Sequence, residues 1–332
     1  MRLFWDLKII LSSLVLTCST FLFGQDQPST IEDFKHKKVF YADIGYNASP
    51  FRIAYPYNEQ TNVLKFKNNF KTFLGLGFAY KWFHIRVGFP VFDFLKPVDD
   101  WGESQQFNLG LNFSVKNLFF DFDFKTVQGF AIKKYADIDS SYTSISDNRI
   151  IPSLGITNFS LNGWYFHNPN FEMGALRGKQ AHYNHAVQTW YVKGSVNVFG
   201  VDNNGKAIIP PFLIDNAVSK TQATVYSAFD FGVIPGYAYV NRIKNWQFSG
   251  WLGLGGVIQS KFYILPGQTR GFIGLAPRYD VRFIGGYSDD KYFVFLVSEF
   301  DNKSIRFIDL KYRQYFYSVR ISAGIRWGKQ SD

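Results

Sequence analysis

Toward the end of the chain, apolar and aromatic residues fall at every second position: Tyr315, Tyr317, Val319, Ile321, Ala323, Ile325 and Trp327. Ser318, Arg320, Ser322, Gly324 and Arg326 lie between them. Successive side chains of an extended strand point to opposite faces, so this segment carries one apolar face and one polar face. It is longer than the ~9–11 residues with which a tilted strand crosses a bilayer. Lipid outside and a polar interior inside is the wall of a transmembrane β-barrel.

Tight turns test that expectation. Leu74, Leu76, Phe78 and Tyr80 are apolar at even positions, whereas Phe83, Ile85, Val87 and Phe89 are apolar at odd ones. A two-residue turn at Lys81-Trp82 would place Tyr80 opposite Phe83 and Phe78 opposite Ile85, on one face. The parity flips again at Lys116-Asn117, pairing Phe113 with Phe120 and Leu111 with Phe122. On the other face Asn112 meets Asp121 and Asn108 meets Lys125. Further strands are expected over 39–46, 150–165, 187–199, 223–239, 246–263, 272–287 and 292–300. The fold class is all-β: an antiparallel up-and-down transmembrane β-barrel of about 12 strands, with 10 or 14 as alternatives.

Short turns (81–82, 116–117, 241–245, 288–291) then alternate with long connections (48–62, 93–104, 131–148, 200–220, 265–271, 301–312). With both termini periplasmic, the long connections are extracellular. Trp82, Trp164, Trp246 and Trp327 fall near the periplasmic ends, as half of an aromatic girdle. Two segments resist this scheme. Residues 167–185 should be a short turn but are long: a periplasmic excursion, a segment folded into the lumen, or an extra hairpin. Residues 292–300 are apolar on both faces and have no evident orientation.

The beginning of the chain adds a compartment. Met1-Arg2 and Lys8, an apolar run from Ile9 to Phe23, then Gly24-Gln25-Asp26 read as a secretory signal peptide over 1–24, cleaved near Gly24. A short periplasmic lead (25–37), the barrel (38–327) and a tail (328–332) follow. The single cysteine, Cys18, lies in the signal, so the mature chain has neither disulfide nor thiol chemistry. Aromatic residues make up 20% of the chain, alongside 28 glycines; both suit pleated, lipid-facing surfaces. The net charge of +10 suits lipopolysaccharide phosphates or anionic solutes. It is dispersed and exported, which argues against nucleic acid.

Several weak motifs in fixed order carry a resemblance. They are Lys67-Asn68-Asn69 leading into Leu74–Lys81, the stretch 107–124, Asn168-Pro169 through Gly178, Ile234-Pro235-Gly236-Tyr237-Ala238-Tyr239, and Gly285-Gly286-Tyr287 to Asp290. In these the chain resembles the Bacteroidota outer-membrane proteins grouped as domain-of-unknown-function family 4421, over roughly residues 35–327. The resemblance implies a membrane barrel, outer-membrane lipid and lipopolysaccharide as surroundings, and delivery by the barrel assembly machinery. It supplies no site residues. Outer-membrane barrels usually end on an aromatic residue, whereas Gly328 to Asp332 follow Trp327 here.

By parity the inward face carries His84, Arg86, Asp121, Asp123, Arg278, Asp280, Arg282, Arg320 and Arg326 as lumen-lining residues. They either pair into a polar filling, or leave Arg278, Arg282, Arg320 and Arg326 as a basic path for anions. His182-Tyr183-Asn184-His185 is the only histidine cluster and lacks further ligands for a metal, so neither metal nor cofactor is expected. Ser195 with His185 is a conceivable but unsupported nucleophile pair, and no G-x-S-x-G occurs; no catalytic residue is assigned. The expected function is passive or gated passage of small or lipophilic molecules. A structural or surface-interaction barrel with a closed lumen is the alternative, and a lipid-modifying enzyme comes last.

Overall fold

The computed structural model describes residues 31–57, 60–69, 72–91, 101–115, 118–133 and 149–328; the expected signal segment, 1–24, lies outside them. Sixteen strands follow in order: β1 (Ile31–Asp33), β2 (Lys38–Ala48), β3 (Phe51–Tyr57), β4 (Gln60–Lys67), β5 (Thr72–Tyr80), β6 (Phe83–Val91), β7 (Gln105–Val115), β8 (Leu118–Ile132), β9 (Ile150–Phe166), β10 (Ala181–Tyr183), β11 (Val187–Asp202), β12 (Val225–Ile243), β13 (Trp246–Leu265), β14 (Gln268–Ser288), β15 (Tyr292–Arg306) and β16 (Lys311–Trp327). A short helix, α1 (Met173–Arg177), precedes β10.

Antiparallel pairing runs β2–β5–β6–β7–β8–β9–β11–β12–β13–β14–β15–β16 and closes where Tyr317 to Trp327 pair with Ala48 to Lys38. That ring has twelve strands. Both tight-turn registers hold: Tyr80 faces Phe83, Phe78 faces Ile85, Phe113 faces Phe120 and Asn112 faces Asp121. Barrel strands begin at Lys38 and end at Trp327, at one rim, here the terminal end.

The opposite rim, the loop end, is built differently. There β3 pairs with the start of β16, from Lys311 opposite Ala54 to Gln314 opposite Phe51, and β4 pairs with the end of β8. The wall at that level passes β16–β3–β4–β8 and bypasses β2, β5, β6 and β7, so ten strands enclose it. The whole sheet counts fourteen.

The sequence places loops where this rim stands, and three of them are strands instead. Connection 48–62 holds β3 and the start of β4, 265–271 shrinks to a tight turn at Pro266-Gly267, and 301–312 shrinks to 307–310. The reason is that the pattern inverts. Phe51, Ile53, Tyr55, Leu64 and Phe66 are fully or almost fully buried inside, while Arg52 and Lys65 point out. Beyond the lipid edge the outside is water, so the apolar face turns inward.

Two apolar clusters fill the barrel's ends. At the loop end Phe51, Phe66, Phe130, Tyr226 and Tyr312 pack with Ile208, Ile209 and Leu213, which the 203–224 connection folds back into the mouth. At the terminal end Trp164, Phe166, Tyr191, Trp251, Phe293 and Phe295 pack with Phe171, Met173, Leu176 and Tyr183 of a lumen segment, the plug. The long connection 167–186 is this plug, and β10 within it pairs with β1 of the N-terminal lead.

The plug also explains β15. Phe293, Phe295 and Val297 face the plug while Tyr292, Val294 and Leu296 face outward, so both faces are apolar. Trp164 is corrected by the same fact. It is 1% exposed and packs inside, whereas Trp82, Trp246 and Trp327 stand outward at the terminal rim.

The outer wall yields a direct test. Leu252 on β13 points outward, 61% exposed. Leu252→Arg is expected to cost about 2–4 kcal/mol in lipid vesicles, as lipid-facing cations do near the bilayer midplane. Denaturant-induced unfolding measures it. A change within ±0.5 kcal/mol would mean that lipid does not cover this face.

Candidate functional site: a charged chamber and its plug

Between the two apolar ends lies a charged layer. Asp43 on β2 is clamped by Arg86 on β6, whose Nε and Nη2 donate at 2.7 and 2.6 Å. The pair lies over Gly75, where a Cβ would stand 2.5 Å from both partners; only glycine leaves room. On β15 Glu299 accepts two hydrogen bonds from Arg320 (3.1 and 2.6 Å) and pairs with Arg282 at 3.3 Å. Asp230 pairs with Arg278 and accepts from Asn197 at 2.7 Å. Asp280 pairs with Lys193 at 3.5 Å and accepts from Tyr191 and Trp164. Lys125 pairs with Asp123 at 2.6 Å. Cross-strand pairing of this kind is what keeps ionised groups tolerable in a confined interior.

A cavity of about 140 Å³ runs through this layer. Of the nine predicted residues, His84, Arg86, Asp121, Asp123, Arg278, Asp280, Arg282 and Arg320 line it; Arg326 does not. Arg278, Arg282 and Arg320 already hold carboxylates, which leaves them little charge to offer a solute. His84 instead meets the Tyr41 hydroxyl.

Arg326 is 3% exposed and grips the plug. Its Nη2 donates to Gly178 O at 2.6 Å and Ser288 Oγ at 2.9 Å, and its Nε to Lys179 O at 2.8 Å. Its Nη1 donates to the backbone carbonyls of Asp289 and Tyr292. Gln247 and Ser249 of β13 satisfy the end of α1, donating to Ala175 O and Leu176 O. Gly178 ends the helix in the left-handed region, φ +73°.

The plug brings two cations that inward-facing parity could not place. Arg177 lies over the Phe119 ring, with Nη1 buried and unpartnered, and Lys179 lies 3.4 Å from the Tyr41 ring centroid. Neither has an ion-pair partner among the described residues. Burial pushes both below their ordinary pKa values, far below in the case of Lys179. A second cavity of about 280 Å³ opens beside the plug at the terminal rim. It shares His84, Asn112, Arg177 and Lys179 with the chamber, so these four side chains border both spaces. The only sequence signal for these cations was a mixed polar run in an overlong connection; strand periodicity says nothing about a loop.

His182 is buried in the plug between Phe34 and the wall. Its Nε2 lies 2.7 Å from Glu32 Oε2, a bond that the neutral ring can donate, while Nδ1 has no partner. Burial, reinforced by Arg242 and Arg326 and partly offset by Asp289 and Asp290, pushes its pKa down to about 3. An undocked histidine titrates near ~6.5, so the undocked state gains a proton the docked one refuses. Stability contributed above ~6.5 is therefore lost as pH falls toward 3. At pH 5 the loss is roughly 2 kcal/mol, read as faster proteolysis of the plug than at pH 7. His182→Gln should flatten that dependence; an unchanged profile would exclude His182 as its source.

The structure does not bring Ser195 and His185 together. Ser195 donates to Asn162 and accepts from Asn197 inside β11, roughly 26 Å of extended chain above the start of that strand. Among the described residues no three metal-ligating side chains cluster.

A closed ring of antiparallel strands, apolar outside and charged within, makes this an integral β-barrel of the bacterial outer-membrane class. The chain belongs to the family described as Domain of unknown function (DUF4421), whose model matches residues 31–327. No curated protein matches it. Among solved structures it is similar to the outer-membrane protease OmpT of Escherichia coli (8% identity, TM-score 0.41, covering 91% of this chain and 100% of that one). It is also similar to the toluene transporter TodX of P. putida (8%, 0.30, 93% and 92%). A third is the translocator domain of the autotransporter NalP of Neisseria meningitidis (8%, 0.34, 96% and 96%). None of these likenesses bears on the chemistry of this lumen.

Proposed function

We propose that this protein is a gated outer-membrane barrel, closed at rest, that admits small anionic solutes when the 167–186 plug moves. The observation that carries the reading is the cavity beside the plug, which shares with the chamber a lining of Arg177 and Lys179, two basic side chains without an ion pair among the described residues. In the same reading residues 1–24 direct export and are removed near Gly24, the barrel assembly machinery inserts the chain, and the origin is Bacteroidota. Both termini are then periplasmic, and lipopolysaccharide surrounds the loop end. His84, Arg86, Asp121, Asp123, Arg278, Asp280, Arg282 and Arg320 form the lumen lining, with Arg326 as the plug's latch.

Single-channel recording in a planar bilayer tests it. The intact protein should show no steady current and brief, anion-selective openings; a Gly-Ser linker in place of residues 168–185 should lengthen them. Silence from both, with insertion verified, would overturn gated passage. A second reading has its own support: Ile208, Ile209 and Leu213 seal the loop end with fully buried apolar contacts. That reading makes the barrel a closed, surface-interacting body, and it predicts that silence. Orientation is tested separately. Ile308→Cys, at a site 93% exposed on the loop end, should be labelled on intact cells by a membrane-impermeant thiol reagent.

A further inference from the structure

Down the outward face of β16, in order from the terminal end, stand Trp327, Ile325, Ala323, Ile321, Val319, Tyr317, Tyr315, Arg313 and Lys311. An aromatic rim, an aliphatic band and an aromatic pair are followed by cations. From Trp327 to Arg313 the strand climbs about 35 Å, taking ~3.3 Å per residue and ~40° tilt. The lipid-facing band of such barrels is ~25 Å tall, and headgroups extend a bilayer to ~40–45 Å. Arg313 therefore stands at headgroup depth on the loop end.

It does not stand alone. Arg313 faces Arg52 across the β16–β3 pairing, and Arg52 faces Lys65 across β3–β4. Two residues further up, Lys311 faces Arg306 across β15–β16. All five side chains point outward. Like charges directly opposite on adjacent strands repel and destabilise a sheet. Arg52 lies over the Tyr315 ring, 5.5 Å from its centroid, but no carboxylate among the described residues of these strands offsets the repulsion: β3 and β4 contain no acidic residue, and none occurs over 302–319 at an outward position on β15 or β16. None of the five has an ion pair among the described residues. Among the described residues, three adjacent strands thus hold a cationic row without a carboxylate partner at one height, two residues above the Tyr315 belt.

We propose that this row, Lys65, Arg52 and Arg313 with Lys311 and Arg306, is a docking site for the phosphate groups of an outer-leaflet glycolipid. The inference rests on the orientation argued above, because only the outer leaflet meets the loop end. Arginine suits the role through its bidentate fork for phosphate oxygens. Each phosphate that settles between two strands would neutralise the repulsion that the sheet otherwise carries.

The test is thermal unfolding of the purified barrel in neutral detergent, titrated with lipopolysaccharide before and after enzymatic removal of its phosphates. Phosphorylated glycolipid should raise the unfolding midpoint saturably, and high salt should abolish the rise. The dephosphorylated form, and inorganic phosphate at equal phosphate concentration, should not raise it. The triple variant Arg52→Gln/Lys65→Gln/Arg313→Gln should bind at least tenfold more weakly and, without ligand, be no less stable than the native chain. A purely structural role would instead lower its stability. Equal stabilisation by the dephosphorylated lipid, an equal response to inorganic phosphate, or undiminished binding by the triple variant would each overturn the proposal. Conductance plays no part, so a barrel that never opens would still bind. If Ile308→Cys stays unlabelled on cells while binding persists in detergent, the orientation has failed and the outer-leaflet assignment with it.

Discussion

Asp230→Ala should destabilise the barrel by about 3–5 kcal/mol, a large effect for one side chain. Asp230 on β12 is fully buried, and Arg278 on β14 is 2% exposed against it. Asn197 and Gln259 complete the carboxylate's partners, at 2.7 and 3.5 Å. Removing the carboxylate leaves a buried guanidinium that cannot lose its proton and keeps the Asn302 carbonyl, at 3.1 Å, as an acceptor in place of a counter-charge. Removing both charges leaves no such orphan. Asp230→Leu with Arg278→Leu should therefore recover most of the loss. Urea unfolding in lipid vesicles, followed by tryptophan fluorescence, measures both. Equal losses in the single and double variants would show that packing, not the ion pair, sets stability in the chamber.

Arg326→Ala should release the plug while the wall survives. Its five donated hydrogen bonds bind the plug and the neighbouring turn, and hydrogen bonds from charged groups contribute ~1.5–3 kcal/mol each without adding fully. A net loss of at least ~3 kcal/mol of docking corresponds to roughly 100-fold more frequent opening. Limited proteolysis should then cut within 167–186, while the barrel strands stay protected. Arg326→Lys should rescue little, because one ammonium cannot span carbonyls arranged for a planar fork. Resistance of the plug in both variants would shift its retention to the apolar contacts of Phe171, Met173 and Leu176.

Arg326 also shows the limit of parity as a reading tool. Alternation assigns it to the inward face with Arg278, Arg282 and Arg320. It could not say that three of the four would meet carboxylates and the fourth would meet backbone carbonyls of a distant segment. Of the acceptors in those pairs, Glu299 lies on a strand that is apolar on both faces, so alternation gives it no inward or outward side, and nothing in the pattern of β12 marks Asp230 as the partner of Arg278. Arg177 and Lys179 were invisible for a different cause: their placement depends on where a loop docks. Trp164 was misassigned from its height along β9, although its parity with Asn158 and Asn162 already pointed inward.

Residues 38–327 by themselves determined the wall. Which face of each strand meets lipid follows from a period of two, and two hairpin registers follow from parity across a turn; both are local, so the chain carries them segment by segment. The number of strands was local as well, up to the loop end, where water replaces lipid outside and the alternation inverts. Only the tertiary structure decided how that wall is filled. The β3–β4 bypass, the docking of 167–186 and the fold-back of 203–224 depend on the lumen's shape, which twelve strands distant in sequence build jointly. No segment encodes that shape alone, so no segment could reveal it.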